Sequence, residues 1–238
     1  GYTLLMGAGS NIVTAPLINS KLPYNPGKQL VSVARIATTT PVLIVGPHVK
    51  ASSVASLIAD ARKHPGKLNY SSSGIGSPNH LAMEMFQHVS GTSLVHIPYK
   101  GGAPSVNELL GGSVDVAINA VPSVIQHIRS GRVTALAVIS QARDPSLPNV
   151  PTISEAGLRG FEYDIWYGLF APQGTPGAVV SKLSDDVQRV LNEPDVVRSL
   201  AAQGTYAKPQ DHVTFGRFLQ ADTALWSKII KDRNIKAE

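Results

Sequence analysis

Apolar residues follow two rhythms along this chain: short, nearly unbroken runs, and stretches where they recur every three or four positions. The first pattern marks buried strands and the second marks amphipathic helices. Residues 2–8, YTLLMGA, read as a buried strand that ends in small residues, and Gly9-Ser10-Asn11 offer a turn and a helix N-cap. Residues 31–46 form a β-rich run broken at Pro41, longer than an ordinary strand. Such a run suits a segment that leaves one sheet and enters another. Next come a helix over 53–64, a strand over 67–73, a Gly74–Pro78 turn and a helix over 79–90. A strand at 94–99, a helix at 103–110, a strand at 114–120, a helix at 121–131 and a strand at 133–140 complete the alternation.

This order predicts an α/β fold with mostly parallel sheets and helices on both faces. A proline-rich loop over 143–158 precedes a second long β-rich run at 161–172. Residues 176–192, 195–203 and 211–233 read as helical. Two long crossing runs around one α/β block predict two lobes joined by a two-stranded hinge, closing near 38–41 and 164–168. The first lobe is discontinuous, residues 1–38 with 167–238, and the second is residues 39–166.

Composition narrows the function. With 43% hydrophobic and 16% charged residues, the 238-residue chain can bury a substantial core. The net charge of +5 is scattered, and only KIIKDRNIK near the end is dense. No aromatic residues interleave with that stretch, so a nucleic-acid surface is not expected. No apolar run is long enough to span a membrane, so direct insertion is not expected. The absence of cysteine excludes disulfide and thiolate chemistry. The opening GYTLLMGAG reads as the end of a turn followed by a strand, with no signal-peptide pattern. It predicts that upstream residues are missing and that the first lobe is incomplete.

Candidate chemistry gathers at three turns on one strand edge: Gly7–Asn11, Ser71–Ser77 and Tyr99–Ala103. Each combines glycine with serine or lysine just before a helix. Helix N-termini present main-chain N–H groups and a positive dipole end, which suits an anion. In open α/β sheets ligands collect at this edge. Asn119 follows another strand edge and offers a hydrogen-bonding amide, while Trp166 and Tyr167 are placed to wall a pocket. Other chemistries find little support. Ser73-Gly74-Ile75-Gly76 carries part of a dinucleotide fingerprint, but Asn79 occupies its third glycine position, and no phosphate-loop motif occurs. His80, Glu84 and His88 share a helical face without the spacing of a metal motif and read as a polar surface. No G-x-S-x-G elbow is present. No catalytic group, cofactor or metal is therefore expected.

At these residues the chain resembles a known family. The segments PGKLNYSSSGIGSPNHLAMEMF, VHIPYKGGAPSVNELLGGSVDVAI and LPNVPTISEAGLRGFEYDIWYGLFAPQGTP are similar to the substrate-binding proteins of tripartite tricarboxylate transporters, the Bug-type receptors. KLPYNPGKQLVSVARIA followed by VLIVGP matches as well, and the likeness covers essentially the whole chain. It implies a periplasmic two-lobed receptor of the Venus-flytrap kind. Such a receptor captures a small organic mono- or dicarboxylate and delivers it to the membrane permease subunits of the transporter. By that likeness Ser72, Ser73, Gly74 and Ser77 form one grip, and Tyr99, Gly101, Gly102 and Ala103 line a second turn. Gly7, Gly9 and Ser10 face them from the other lobe, and Asn119 stands where ligand choice is made. Family members carry a further loop before the point where this chain begins, and that loop supplies part of the grip. Two alternatives stand beside the receptor: an enzyme acting on a small carboxylate, and a non-binding fragment of such a receptor.

Overall fold

In the computed structural model, residues 3–19 and 21–235 are described. Tyr2 of the first expected strand and Lys236 of the basic stretch lie outside these residues. The chain separates into two compact units: one reaching Thr39 and resuming at Ile165, the other Thr40–Asp164.

The first unit opens with β1 (Leu5–Ala8), a π-helical turn (Ser10–Thr14), the short α1 (Ala15–Ile18) and α2 (Pro26–Gln29), and then β2 (Leu30–Thr39). The second unit contains β3 (Pro41–Val45), α3 (Val54–Lys63), β4 (Asn69–Ser72), α4 (Pro78–Ser90) and β5 (Val95–Pro98). It continues with α5 (Gly102–Gly111), β6 (Val116–Ala120), α6 (Val121–Arg129) and β7 (Thr134–Val138). The chain then returns to the first unit as β8 (Ile165–Pro172), α7 (Gly177–Leu191), α8 (Pro194–Ala202), β9 (Tyr206–Gln210) and α9 (His212–Asp232).

The first unit's sheet runs β1-β8-β2-β9, with every pairing antiparallel. Its core is aromatic. Trp166 meets Phe215 edge-on at 5.5 Å and Phe218 at 5.9 Å, and Arg35 lies over the Phe218 ring at 4.2 Å. The indole of Trp166 donates to Asp222 Oδ2 at 2.9 Å. Burial pushes the Asp222 carboxyl above its ordinary range, against the opposing pull of the Trp166 and Trp226 N–H groups and the Arg35 charge. Gly168 is forced by this packing, because a Cβ there would lie 2.2 Å from Phe215 Cζ.

The second unit's sheet runs β5-β4-β6-β3-β7. The parallel expectation holds for β4 with β5 and β6, but β3 is antiparallel to both β6 and β7. Together with the antiparallel first sheet, this corrects the picture of mostly parallel sheets to mixed ones. The cause is the connection. Strands joined through helices keep one direction, whereas β3 follows β2 after Thr40 alone and inserts mid-sheet the other way. All five residues of β3 are buried, as befits a strand covered on both faces. Its Val42 and Ile44 pack with Val106 and Leu109 of α5 and Val121 and Val124 of α6. Burying each such side chain contributes roughly 1.5–3 kcal/mol.

The helix ends follow local chemistry. Ser53 and Ser56 form a reciprocal capping box on α3, and Ser77 caps α4, accepting from the His80 N–H. Gly91 ends α4 in the left-handed conformation at φ 62°.

Candidate functional site

The Ser71–Ser77 turn is held from behind by a buried polar cluster. Tyr70, His96 and His80 stack, with His80 and His96 ring centroids 4.1 Å apart. Tyr70 donates to Glu84 Oε1 at 2.6 Å, and Gln87 donates to the same oxygen at 2.8 Å. His80 and Glu84 are 6% and 9% exposed, so the polar-surface expectation for this helical face is corrected there, while His88 is exposed. The face instead points at β4 and β5, because Tyr70 and His96 supply partners that sequence spacing cannot show.

This cluster uses much of the turn's donor capacity. Gly76 N–H donates to His80 Nδ1, Gly74 N–H to Ser72 Oγ, and Ser77 N–H to the Gly74 carbonyl. Tyr99 N–H donates to the Ser72 carbonyl. Ser72 is fully buried, and its hydroxyl lies 2.7 Å from His96 Nε2. The Ser72 hydroxyl therefore braces the turn from within, a duty its expected place in the grip did not include. Ser73 and Gly74 are half-buried beside the exposed Ile75. Ser73 Oγ donates to Asn79 Oδ1 at 3.1 Å.

The start of α5 is different. Gly101, at φ 111°, turns the chain into the helix with no side-chain cap. A side-chain-bearing residue would strain there. The first-turn N–H groups of α5 are thus left for another acceptor. Ser105, one turn in, donates to Ser71 Oγ at 2.8 Å and fastens the helix to β4. Burial raises the Tyr99 phenol above its ordinary value, with Glu108 pushing the same way, so the hydroxyl keeps its proton as a donor. Gly102, Ala103 and Asn119 line one cavity of about 270 Å³, together with Val106, Asn107, Ser123 and His127. Three residues singled out in the sequence thus meet at one opening. His127 and Asn107 were not foreseen, since only the α5–α6 geometry brings them to it.

The residues expected from the first unit have other duties. A Cβ at Gly7 would collide with Ile12 and Phe170, and one at Gly9 would press on the Trp166 indole. Ser10 starts the π-helical turn and stays half-buried. Trp166 is 1% exposed with its N–H spent on Asp222, so it packs in the core of the first unit. A larger cavity of about 580 Å³ in this unit is lined by Ile12, Leu30, Val31, Phe170 and Leu219 among others. It includes none of the expected site residues, and its polar lining is Ser32, Gln220, Thr223 and Ser227.

Residues 1–235 match the family described as tripartite tricarboxylate transporter family receptor. The chain belongs to this family. The family's description is that of a receptor, a solute-binding role and not an enzymatic one. A protein in the tcbD-tcbE intergenic region of Pseudomonas sp. strain P51 is 36% identical over 238 residues, covering all of this chain and 70% of its own length. BugT of Bordetella pertussis is 34% identical, covering 99% of this chain and 73% of its own. Among solved structures, R. palustris Rpa4515 with adipate is similar at a TM-score of 0.87 and 32% identity, covering 99% of this chain and 79% of that one. MatC from Rhodopseudomonas palustris with bound malate gives 0.80 and 28%, covering 96% and 79%. The periplasmic-binding-protein fold is thus shared. No helix among the described residues is long and apolar enough to cross a membrane.

Proposed function

We propose that this chain is a periplasmic receptor that captures a small organic carboxylate and hands it to the membrane permease of a tripartite tricarboxylate-type transporter. The observation that carries this reading is the α5 cavity, which Gly102 and Ala103 line from the uncapped N-terminus of the helix, together with Asn119. Similar proteins hold adipate and malate, which supports an acid ligand. A carboxylate accepting several N–H bonds gains roughly 1.5–3 kcal/mol from each. A few such bonds reach the ~8 kcal/mol of a micromolar complex. The helix dipole acts in the same direction.

Within this reading Gly101, Gly102 and Ala103 supply main-chain donors and Tyr99 a phenolic one. Ser73, Gly74 and Ser77 shape the adjoining turn. Gly7, Gly9 and Ser10 are proposed as ligand-binding residues by family likeness alone. Transfer to a permease is likewise proposed from the family.

Isothermal titration with mono- and dicarboxylates of graded length tests the proposal. Binding of at least one acid near micromolar affinity, with a rise in melting temperature, is expected. No heat and no stabilisation from any acid would refute it.

A further inference from the structure

Two glycines of the Ser71–Ser77 turn, Gly74 at φ 129° and Gly76 at φ 73°, hold backbone angles that other residues seldom adopt. A turn built on them is soft by itself, because glycine loses the most conformational freedom when it is fixed. Two imidazoles from different elements supply the restraint. His80, on α4, accepts the Gly76 N–H at Nδ1, 3.0 Å away. His96, on β5, places Nε2 2.7 Å from Ser72 Oγ, and that oxygen accepts the Gly74 N–H at 3.1 Å. The rings are braced in turn. They stack on each other and on Tyr70, whose hydroxyl donates to Glu84. Gln87 donates to the same Glu84 oxygen and accepts the Leu94 N–H at 2.7 Å, beside the start of β5.

These bonds fix where the protons sit. A main-chain N–H only donates, so Nδ1 of His80 is bare and the ring carries its proton on Nε2. Ser72 has a single proton, and its Oγ also lies 3.1 Å from the Gly74 carbonyl, which only accepts. All the contacts of Ser72 Oγ are satisfied together only when its proton goes to that carbonyl and His96 donates from Nε2.

We propose that His80 and His96 are positioning residues for carboxylate capture: they pin two glycine amides, that of Gly74 through Ser72, so that the turn is already ordered when the ligand arrives. This rests on the receptor reading above and adds which side chains prepare its site. Neither histidine lines the α5 cavity, so the effect is indirect. The turn is joined to that cavity in two ways. The Ser72 carbonyl accepts the Tyr99 N–H just before α5, and Ser73 donates to Asn79, which donates to the lining residue Asn119. Slack in the turn reaches the site by both routes. The ligand must then supply the ordering that the imidazoles now provide, and affinity falls.

The test titrates adipate and malate into the wild-type chain and into H80N, H80L, H96Q and H96L, below every melting temperature. Asparagine offers an oxygen where His80 has Nδ1, and glutamine an amide where His96 has Nε2; leucine fills similar space with neither. H80L and H96L are expected to weaken the better-bound acid by about three- to tenfold, and H80N and H96Q to stay within about twofold of wild type. Wild-type affinity in both leucine variants, or equal losses in the amide and leucine variants, would overturn the proposal. Two readouts need no ligand: the imidazole nitrogen resonances and hydrogen exchange of the Gly76 amide. A His80 proton on Nε2 is expected, with faster Gly76 exchange in H80L than in H80N; a proton on Nδ1 refutes the pinning. If a leucine variant does not fold, the wild-type resonances still decide. If neither acid binds the wild-type chain, the receptor reading falls, and the same resonances judge the pinning separately.

Discussion

His80 and His96 stack ring on ring, 4.1 Å between centroids and 15° from coplanar, directly behind the serine-rich turn. Burial lowers both imidazoles below the ordinary 6.5. For His96 the fall reaches about 4, driven by burial and then by His80, against the opposing pull of Glu84. The neutral form is also the useful one, because His80 Nδ1 accepts the Gly76 N–H and a protonated ring could not.

The sign of the pH dependence follows. Below pH 6.5 the unfolded chain takes up protons that the folded rings refuse. Stability from this pair is complete above 6.5 and declines as pH falls toward 4. Urea midpoints measured across that window should drop on acidification. The drop should shrink in a H80N/H96Q double variant, whose amides occupy the same ring-nitrogen positions without titrating. An equal drop in that variant would remove the histidines as its source.

Asp222→Ala should destabilise the first unit by about 3 kcal/mol, since it strands the Trp166 indole and removes the carboxylate acting against buried Arg35. Asp222→Asn keeps an oxygen for Trp166 and should cost less. Chemical denaturation of both variants checks the order, and equal losses would contradict it.

Gly168→Ala forces a methyl into Phe215 and toward the Ala34 carbonyl at 3.3 Å. Overpacking of this kind costs about 1–3 kcal/mol. A melting temperature within a degree or so of wild type would show that the aromatic cluster yields more easily than its geometry suggests.

Ser73→Ala removes the hydroxyl that holds Asn79 Oδ1. Carboxylate affinity should fall by roughly two- to tenfold with little change in stability. Ser53→Ala, at the α3 cap, provides the converse: about 1 kcal/mol of stability lost with affinity unchanged. Unaltered affinity in S73A would detach this turn from the site.

Much of this architecture can be read from local pattern. Helices α4 and α7 begin and end at punctuation such as Ser77, Gly91 and Pro176, which acts within a few residues. Strand β9 escapes such reading because YAKPQ carries a lysine and a proline; it is tolerated as an edge strand pairing with β2 alone. The direction of β3 is a property of its neighbours and not of PVLIV. The turns of the site are visible as glycine and serine clusters. Which donors stay free in them is not, because His80, His96 and Asn79 spend or steer those donors from other elements.

The interleaving of the first sheet bears on how the chain matures. The second unit draws all its strands from one continuous segment and can condense as soon as that segment is made. β2 cannot, since both its neighbours, β8 and β9, are encoded after that segment. Until β8 and β9 join it, its Val33, Ala34 and Ala37 lack their native cover. This topology predicts folding from the middle of the chain outward, with β2 most open to aberrant association before β8 pairs with it.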